Sequence, residues 1–324
     1  MLSILRSNQL IANSVFILYM LLLRLPYLLH HDCTVAVKHT GVLGRITENI
    51  MPENKYWLLV IQIIIVVLQA GILNATINKT RMMRDINLFP GFVWVVTVSL
   101  FPEYLCDTTM LFANLFLLLS VRELFGVYKK NSVAGGIFNA GLFLSMSVFF
   151  YPGFIFFTIA IILGLQILRA PKIKEYLMLC SGMLVPVILL TVLFFWNDSL
   201  HLIRQAQLDV FMFNFKFEPQ SNGIYKLGFI ILSILLCLLG YSRIIFKQSI
   251  QNIKYIEILY LLLFIGISMT FFIKDRNIEQ FLSILLPVSV IGGLILYSIS
   301  SSSAEMIHLL LIFIVFFWQF APNF

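Results

Sequence analysis

The stretch Arg24-Leu25-Pro26-Tyr27-Leu28-Leu29-His30-His31-Asp32 decides how the chain is organised. It ends an apolar run that is long enough to cross a membrane, at a proline and a cluster of ionisable side chains. About two dozen polar or mixed residues follow before the next apolar run begins at Trp57. Most of the remaining chain is hydrophobic, so this loop and one later loop are the main places where we expect chemistry.

The amino-acid composition assigns the chain to the membrane proteins. Of its 324 residues, 60% are hydrophobic and only 11% are charged, whereas an average soluble domain carries roughly 25% charged residues. A water-soluble fold could not cover its surface with so few charges. Because a backbone in lipid must satisfy its own hydrogen bonds, we predict an all-α polytopic protein in which residues 1–324 form a single integral membrane domain.

The apolar segments predict about eleven transmembrane helices. A spanning helix needs about 20 apolar residues. Three segments, 88–103, 134–151 and 153–169, contain or adjoin prolines, and we expect them to be broken or partial. The full set of predicted spans is 12–29, 56–74, 88–103, 107–126, 134–151, 153–169, 176–196, 224–245, 255–273, 281–299 and 305–320.

Lysine and arginine predict the orientation. With the N-terminus inside, thirteen basic residues fall on the inner side and nine on the outer side, and most of the nine lie in two long loops. Since short cytoplasmic loops are enriched in basic residues, we predict a multi-pass protein of the bacterial inner membrane with a cytoplasmic N-terminus. The net charge of +7 then indicates contact with membrane lipids rather than a nucleic-acid partner.

Two long loops lie on the predicted outer face. The first, 30–55, has apolar residues spaced for an amphipathic helix on the membrane surface, notably Val42, Ile46 and Ile50. The second, 197–223, carries phenylalanine at every other position from 211 to 217. That alternation fits either a short strand or an interfacial segment whose rings dip into lipid.

Arg24 and Asp32 form the first candidate site. In a structural interpretation, Arg24 snorkels to a lipid phosphate and Asp32 is solvated. In a catalytic interpretation, Asp32 is a general base or metal ligand, and Arg24 or His31 binds a phosphate group. Arg45 and Arg204, in the two outer loops, are further candidates for substrate contacts.

Glu103 and Asp107 form the second candidate site, in the tight outer turn between two spans. Their four-residue spacing places both carboxyl groups on one face if the turn is helical. One interpretation is a polar hairpin whose acids face water, with Asp107 or Thr108 capping the next helix. In the other, both acids approach Asp32 and complete an acidic site that shares a proton or a divalent cation.

Cofactor motifs are absent from the sequence. It contains no glycine-rich phosphate loop, no dinucleotide fingerprint and no Cys/His metal spacing, so we expect no cofactor and leave a divalent metal open. The intramembrane amides Gln62, Gln69 and Asn114 are expected to join helices. Since no series of buried acids runs through successive helices, a transporter is disfavoured.

Four motifs resemble an uncharacterised family of multi-spanning inner-membrane proteins found in Bacteroidota. They cover roughly residues 85–200, and the resemblance implies no activity. The motifs are Ser99-Leu100-Phe101-Pro102-Glu103, Asn114-Leu115-Phe116-Leu117-Leu118-Leu119-Ser120-Val121-Arg122, Ile137-Phe138-Asn139-Ala140-Gly141 and Phe149-Phe150-Tyr151.

The start of the chain is similar to that of membrane glycosyltransferases of the C superfamily. The residues are Leu23-Arg24-Leu25-Pro26-Tyr27, followed by Asp32 in the first outer loop. The resemblance implies a polyprenyl-phosphate-linked sugar as substrate and Asp32 as the base that activates the acceptor. In this chain Asp32 is followed by Cys33 instead of a second acid.

These observations favour a glycosyltransferase-C-like enzyme that acts on a lipid-linked sugar at the periplasmic face. Asp32 is its expected base, Glu103 and Asp107 are supporting acids or metal ligands, and Arg24 is a phosphate contact. The alternative is a non-catalytic membrane subunit or scaffold that packs against a partner protein in envelope biogenesis or secretion.

Overall fold

The protein is all α-helical, as predicted. Its computed structural model describes residues 17–25, 40–51, 54–130, 132–208, 211, 223–246, 248–273 and 278–320. In chain order the helices are α1 (17–25), α2 (Val42–Ile50), α3 (Lys55–Thr80), α4 (Phe89–Val98), α5 (Pro102–Cys106), α6 (Thr108–Phe125), α7 (Ala134–Phe150), α8 (Phe157–Leu168), α9 (Ile173–Trp196), α10 (Leu200–Gln207), α11 (Gly223–Leu239), α12 (Tyr241–Ile245), α13 (Ile250–Met269), α14 (Leu282–Ser298) and α15 (Ser301–Phe320). Two 3-10 turns, Pro152–Phe156 and Ile278–Phe281, precede α8 and α14.

Within the described chain, seven helical segments are long and apolar enough to cross a membrane, which supports a multi-pass protein. Three shorter apolar helices coincide with the three segments predicted to be broken or partial. The first of these, 88–103, is interrupted at residues 99–101, between α4 and α5. Ten-residue α4 rises about 15 Å, which is about half the thickness of the hydrocarbon core.

The centre of the bundle is formed by α6 and α14, which bury most of their residues. Short α4 is buried along almost its whole length and packs against α3 and α14. By contrast, α9 and α11 leave most of their apolar side chains exposed. Such outward apolar surface is expected of helices at the rim of a membrane bundle.

Buried amides join the central helices, as predicted. The Gln69 side chain donates to the carbonyl oxygen of Leu111 (2.6 Å) and accepts from the indole N–H of Trp94 (3.2 Å). Asn114 donates to the carbonyl oxygen of Leu282 (3.2 Å). These hydrogen bonds connect α3, α4, α6 and α14, and each contributes roughly 0.6 kcal/mol by analogy with other membrane helices.

One end of the bundle gathers the loops that the sequence places outside. The backbone N–H of Gly41 donates to the carbonyl oxygen of Phe150 (2.8 Å), and Gln207 donates to that of Phe149 (3.4 Å). Thus the start of α2, the end of α7 and the end of α10 lie together. We call this the outer end.

The opposite end gathers the loops that the sequence places inside. Asn252 donates to the carbonyl oxygen of Arg81 (2.9 Å), and Arg169 donates to that of Lys130 (3.4 Å). Arg81, Lys130 and Arg169 belong to loops rich in lysine and arginine, and Asn252 lies in the first turn of α13. We call this the basic end; that it faces the cytoplasm of a bacterial inner membrane stays a prediction.

The amphipathic helix of the first outer loop is present as α2. A Cβ atom at Gly41 would lie 2.2 Å from the carbonyl oxygen of Phe149, and one at Gly44 would lie 2.8 Å from that of Phe150. The two glycines therefore allow α2 to dock closely on the end of α7. Ile46 and Ile50 remain exposed on α2, as expected of a helix that rests on lipid.

The second outer loop begins with α10, and Phe211 then forms an isolated antiparallel bridge with Ile273. The other three alternating phenylalanines lie outside the described residues. The choice between a strand and an interfacial segment therefore stays open.

Candidate functional site

Four acids from separate parts of the chain lie at the outer end. They are Glu48 in α2, Glu103 in α5, Asp107 at the start of α6 and Glu279 in the 3-10 turn before α14. The negative charges of Glu279 and Glu48 act on Asp107. We call these four residues the outer acidic cluster.

Asp107 is the most buried member of the outer acidic cluster, with 2% of its surface exposed. Its Oδ1 accepts a hydrogen bond from the backbone N–H of Met110 (2.9 Å) and so caps α6. Its Oδ2 has no hydrogen-bond partner among the described residues. Burial, followed by the charge of Glu279, raises the pKa of Asp107 to about 8. The carboxyl group therefore holds a proton at neutral pH.

Glu103 forms an ion pair with Lys226 and therefore does not share a proton with Asp107. Its Oε1 lies 2.5 Å from the Lys226 ammonium nitrogen. Lys226 is almost fully buried at the start of α11, within about 6 Å of the ring centres of Phe101 and Trp318. These contacts hold a cation beside the acids.

The predicted capping role of Asp107 is confirmed. The prediction that its carboxyl group faces water is wrong, because the side chain is buried. The turn from Pro102 to Cys106 is helical, as the spacing argument required. The side chain of Asp107 nevertheless points into the protein to cap α6, while Glu103 is taken up by Lys226. Helix α11 supplies that cation from more than a hundred residues away in sequence.

Arg24 is connected to the start of α6 through Gln62. The Arg24 guanidinium donates to Gln62 Oε1 (3.2 Å), and the Gln62 amide donates to the hydroxyl of Thr108 (2.9 Å). Arg24 is fully buried, which does not fit an arginine that snorkels to the lipid surface. The structure therefore links Arg24 to Thr108, the residue that follows Asp107, whereas its predicted pairing with Asp32 stays a prediction.

Two buried tyrosines complete the surroundings of the acids. The hydroxyls of Tyr104 and Tyr151 have no hydrogen-bond partner among the described residues. Burial raises the pKa of Tyr104 well above its ordinary value, with a further effect from the charges of Glu103 and Glu279. Burial likewise raises the pKa of Tyr151, followed by the charge of Asp107. Both hydroxyls thus remain neutral hydrogen-bonding groups.

The other predicted contacts are more peripheral. Arg45 is half-buried on α2, near Glu48, and Arg204 is exposed on α10. Helices α2 and α10 contact each other, so both arginines lie at the outer end. Asp32 and His31 lie outside the described residues, so their distance from Asp107 stays a prediction to be tested.

The sequence interpretation missed Lys226 and Glu279 as members of this site. A lysine at the third position of the predicted span 224–245 was a usable signal, since ionisable residues inside spans are usually paired or functional. Glu279 lies just before the predicted span 281–299 and carries a similar signal. Glu48 had no comparable signal, because it lies in a polar loop.

A divalent metal gains no support from the described residues. Among them, no group of three or more His, Cys, Asp or Glu side chains is arranged to hold a metal ion. The described acids instead form an ion pair, a helix cap and hydrogen bonds to threonines. The hydroxyl of Thr109, for example, donates a hydrogen bond to Glu48 (3.3 Å).

Comparison with known proteins identifies a family without an assigned activity. Residues 40–323 match the model of a family of unknown function, DUF6427, and the chain belongs to that family. No curated protein and no solved structure matches the chain.

Proposed function

We propose that this DUF6427 protein is a membrane glycosyltransferase that uses a polyprenyl-phosphate-linked sugar at the periplasmic face for envelope glycan assembly. The observation that carries the proposal is Asp107, a buried carboxyl group with one oxygen unpartnered among the described residues. A buried acid with a raised pKa at a helix start is a frequent feature of catalytic sites. Arg24 and the Glu103–Lys226 ion pair lie at the same end of the bundle.

The depth of the site suits a lipid-linked substrate. One member of the outer acidic cluster, Glu48, lies on α2 and accepts a hydrogen bond from Thr109 of α6. The exposed Ile46 and Ile50 of α2 fit a helix that rests at the boundary between head groups and acyl chains. The bond between a polyprenyl phosphate and its sugar lies at that same depth.

The proposed chemistry is the transfer of the sugar to an acceptor hydroxyl. The acceptor oxygen bonds to the anomeric carbon while the bond from that carbon to the phosphate oxygen breaks. Asp32 takes the proton of the hydroxyl, and protonated Asp107 donates a hydrogen bond to the departing phosphate. Arg24 holds the start of α6 through Gln62 and adds positive charge for the phosphate.

Complementation of a strain that lacks the protein tests the proposal. We expect that the wild-type gene and Asp198→Asn, an exposed acid at the same end, restore the lipid-linked sugars and envelope glycans measured by mass spectrometry. Asp32→Asn and Asp107→Ser, whose hydroxyl keeps the helix cap but leaves no donor in place of Oδ2, should accumulate the lipid-linked donor at normal protein levels. A normal glycan profile in both site variants would sink the enzyme assignment.

A non-catalytic subunit is the second candidate, in which a partner helix in place of lipid covers the exposed faces of α9 and α11. If that role is correct, Asp32→Asn and Asp107→Ser restore a normal envelope glycan profile in the same strain. Changes on the exposed face of α9, such as Leu184→Trp, would then disturb envelope assembly by displacing a partner helix.

A further inference from the structure

A cavity of about 550 Å³ opens at the basic end of the bundle, opposite the outer acidic cluster. Its walls come from the turn after α3, from α12, from the start of α13 and from the end of α14. That volume falls within the usual range of about 300–1,000 Å³ for small-ligand sites. The proposed transferase chemistry makes no use of this cavity.

Three arginines, Arg81, Arg84 and Arg243, line the cavity. All three are exposed, and none of their guanidinium groups forms an ion pair or hydrogen bond with the part of the chain that is described. A guanidinium offers a planar fork of N–H donors that fits a phosphate group in a bidentate manner. Three such groups around one cavity thus form a concentrated site for a multiply charged anion.

The turn that carries Arg81 and Arg84 is held by side chains from α13 and the segment before it. Asn252 is buried, and its amide donates both to the carbonyl oxygen of Arg81 (2.9 Å) and to Gln248 Oε1 (2.8 Å). Gln248 donates in turn to the carbonyl oxygen of Met82 (3.2 Å). The arginines are therefore displayed from an anchored turn and not from a loose loop.

The backbone of Arg81 supports a specific role for this turn. Arg81 ends α3 in the left-handed conformation (φ 54°, ψ 37°), a position that glycine or asparagine usually takes. An arginine there requires the surrounding hydrogen bonds to hold it. The nearby carboxylate of Asp85 accepts from the hydroxyl of Tyr297 (3.0 Å), which ties the same turn to α14.

We propose that this cavity binds the phosphate or diphosphate group of an anionic ligand. Arg81, Arg84 and Arg243 contact the phosphate oxygens, and the Ser249 hydroxyl at the cavity wall offers a further donor. A lipid head group and a soluble phosphate ester share this chemistry. The experiment below separates the two sources.

The test uses the full-length protein in nanodiscs of phosphatidylcholine. Inorganic pyrophosphate and a short-chain phosphatidylglycerol are titrated separately, with binding followed by thermal stabilisation and native mass spectrometry. The site variant is Arg81→Gln/Arg84→Gln/Arg243→Gln. Its matched control, Lys130→Gln/Lys172→Gln/Lys174→Gln, removes the same charge from exposed lysines that do not line the cavity.

We expect the wild type and the lysine control to bind at least one probe with equal affinity, within about twofold, and the arginine variant to bind about tenfold or more weakly. Binding of pyrophosphate indicates a soluble ligand, whereas binding of phosphatidylglycerol alone indicates a lipid head group. Equal weakening in the lysine control, or no binding of either probe, overturns the proposal. If the triple variant does not fold, the single change Arg243→Gln is compared with Lys174→Gln by the same criteria.

Discussion

At the scale of single residues, Asp107 combines two requirements that usually conflict. An ionised carboxylate is the better helix cap, because it faces the positive end of the helix dipole. Burial and the neighbouring acids nevertheless favour the protonated form. The other carboxyl oxygen, Oδ2, is buried and has no hydrogen-bond partner among the described residues.

Replacing Asp107 by asparagine should flatten the pH dependence of stability. The pKa of Asp107 is about 8 in the folded protein and 3.8 by its ordinary value, so its contribution is fully present below pH 4. It is lost progressively as the pH rises to 8, by up to about 1.4 kcal/mol per pH unit. Asparagine keeps the cap and does not ionise.

The measurement is the melting temperature in detergent between pH 4 and 9. Relative to Asp107→Asn, the wild type should lose stability up to pH 8 and then remain level. Parallel curves for the two proteins over the whole range would show that the pKa of Asp107 is the same in the folded and the unfolded protein, against the prediction. Asp198→Asn serves as the control, because Asp198 is exposed.

Removing one member of the Glu103–Lys226 pair should be worse than removing both. Glu103→Gln leaves a nearly buried ammonium without its carboxylate. Breaking one side of a buried pair costs about 3–5 kcal/mol; because Glu103 is about a third exposed, we expect about 1–3 kcal/mol after solvent screening.

Thermal unfolding of Glu103→Gln, Lys226→Met and the double variant checks this. Methionine suits the aromatic surroundings of Lys226, so the double variant should recover part of the loss seen in Glu103→Gln. A double variant that is less stable than Glu103→Gln would contradict the assignment of a buried charge pair.

At the scale of helices, the contact between α7 and α9 depends on two glycines. A Cβ atom at Gly141 would lie 2.3 Å from the carbonyl oxygen of Leu179, and one at Gly182 would lie 2.2 Å from that of Phe138. The helix backbones therefore approach each other directly, as small residues allow in membranes. This contact attaches the otherwise exposed α9 to the bundle.

Gly182→Ala should separate α7 from α9 and destabilise the protein by about 1–3 kcal/mol, as overpacking usually does. Gly71→Ala is the matched control, since no heavy atom lies within 4 Å of the added Cβ. The control should be neutral or slightly stabilising, because alanine favours helices. Equal melting temperatures for the two variants would exclude the close approach.

At the scale of the whole molecule, the two ends carry different clusters of charged side chains. The outer acidic cluster lies at one end, and the arginine-lined cavity lies at the other. The three arginines of the cavity belong to the loops that the lysine and arginine count places on the inner side.

Cysteine labelling tests that orientation. We expect Asp198→Cys, at the outer end, to react with a membrane-impermeant maleimide in spheroplasts, and Lys130→Cys, at the basic end, to react only after lysis. Both positions are exposed, and the wild type with its four cysteines sets the background. The reverse pattern would place the basic end outside.

The amino-acid sequence by itself determined the class, the approximate spans and the sorting of the loops between the two ends. Hydrophobic segments of membrane length set the spans, and the three segments predicted to be broken or partial were the ones found shortened. Sequence reasoning also selected Glu103, Asp107 and Arg24, because ionisable residues near span ends are conspicuous against an apolar background.

Only the tertiary structure decided which helices are neighbours and, with that, what each acid does. In a lipid environment all faces of a helix can be apolar, so the sequence pattern does not say which helix packs beside which. Lys226 and Glu279 come close to Glu103 and Asp107 only through helix packing. The raised pKa of Asp107 follows from burial and from charges distant in sequence, which are properties of the folded chain.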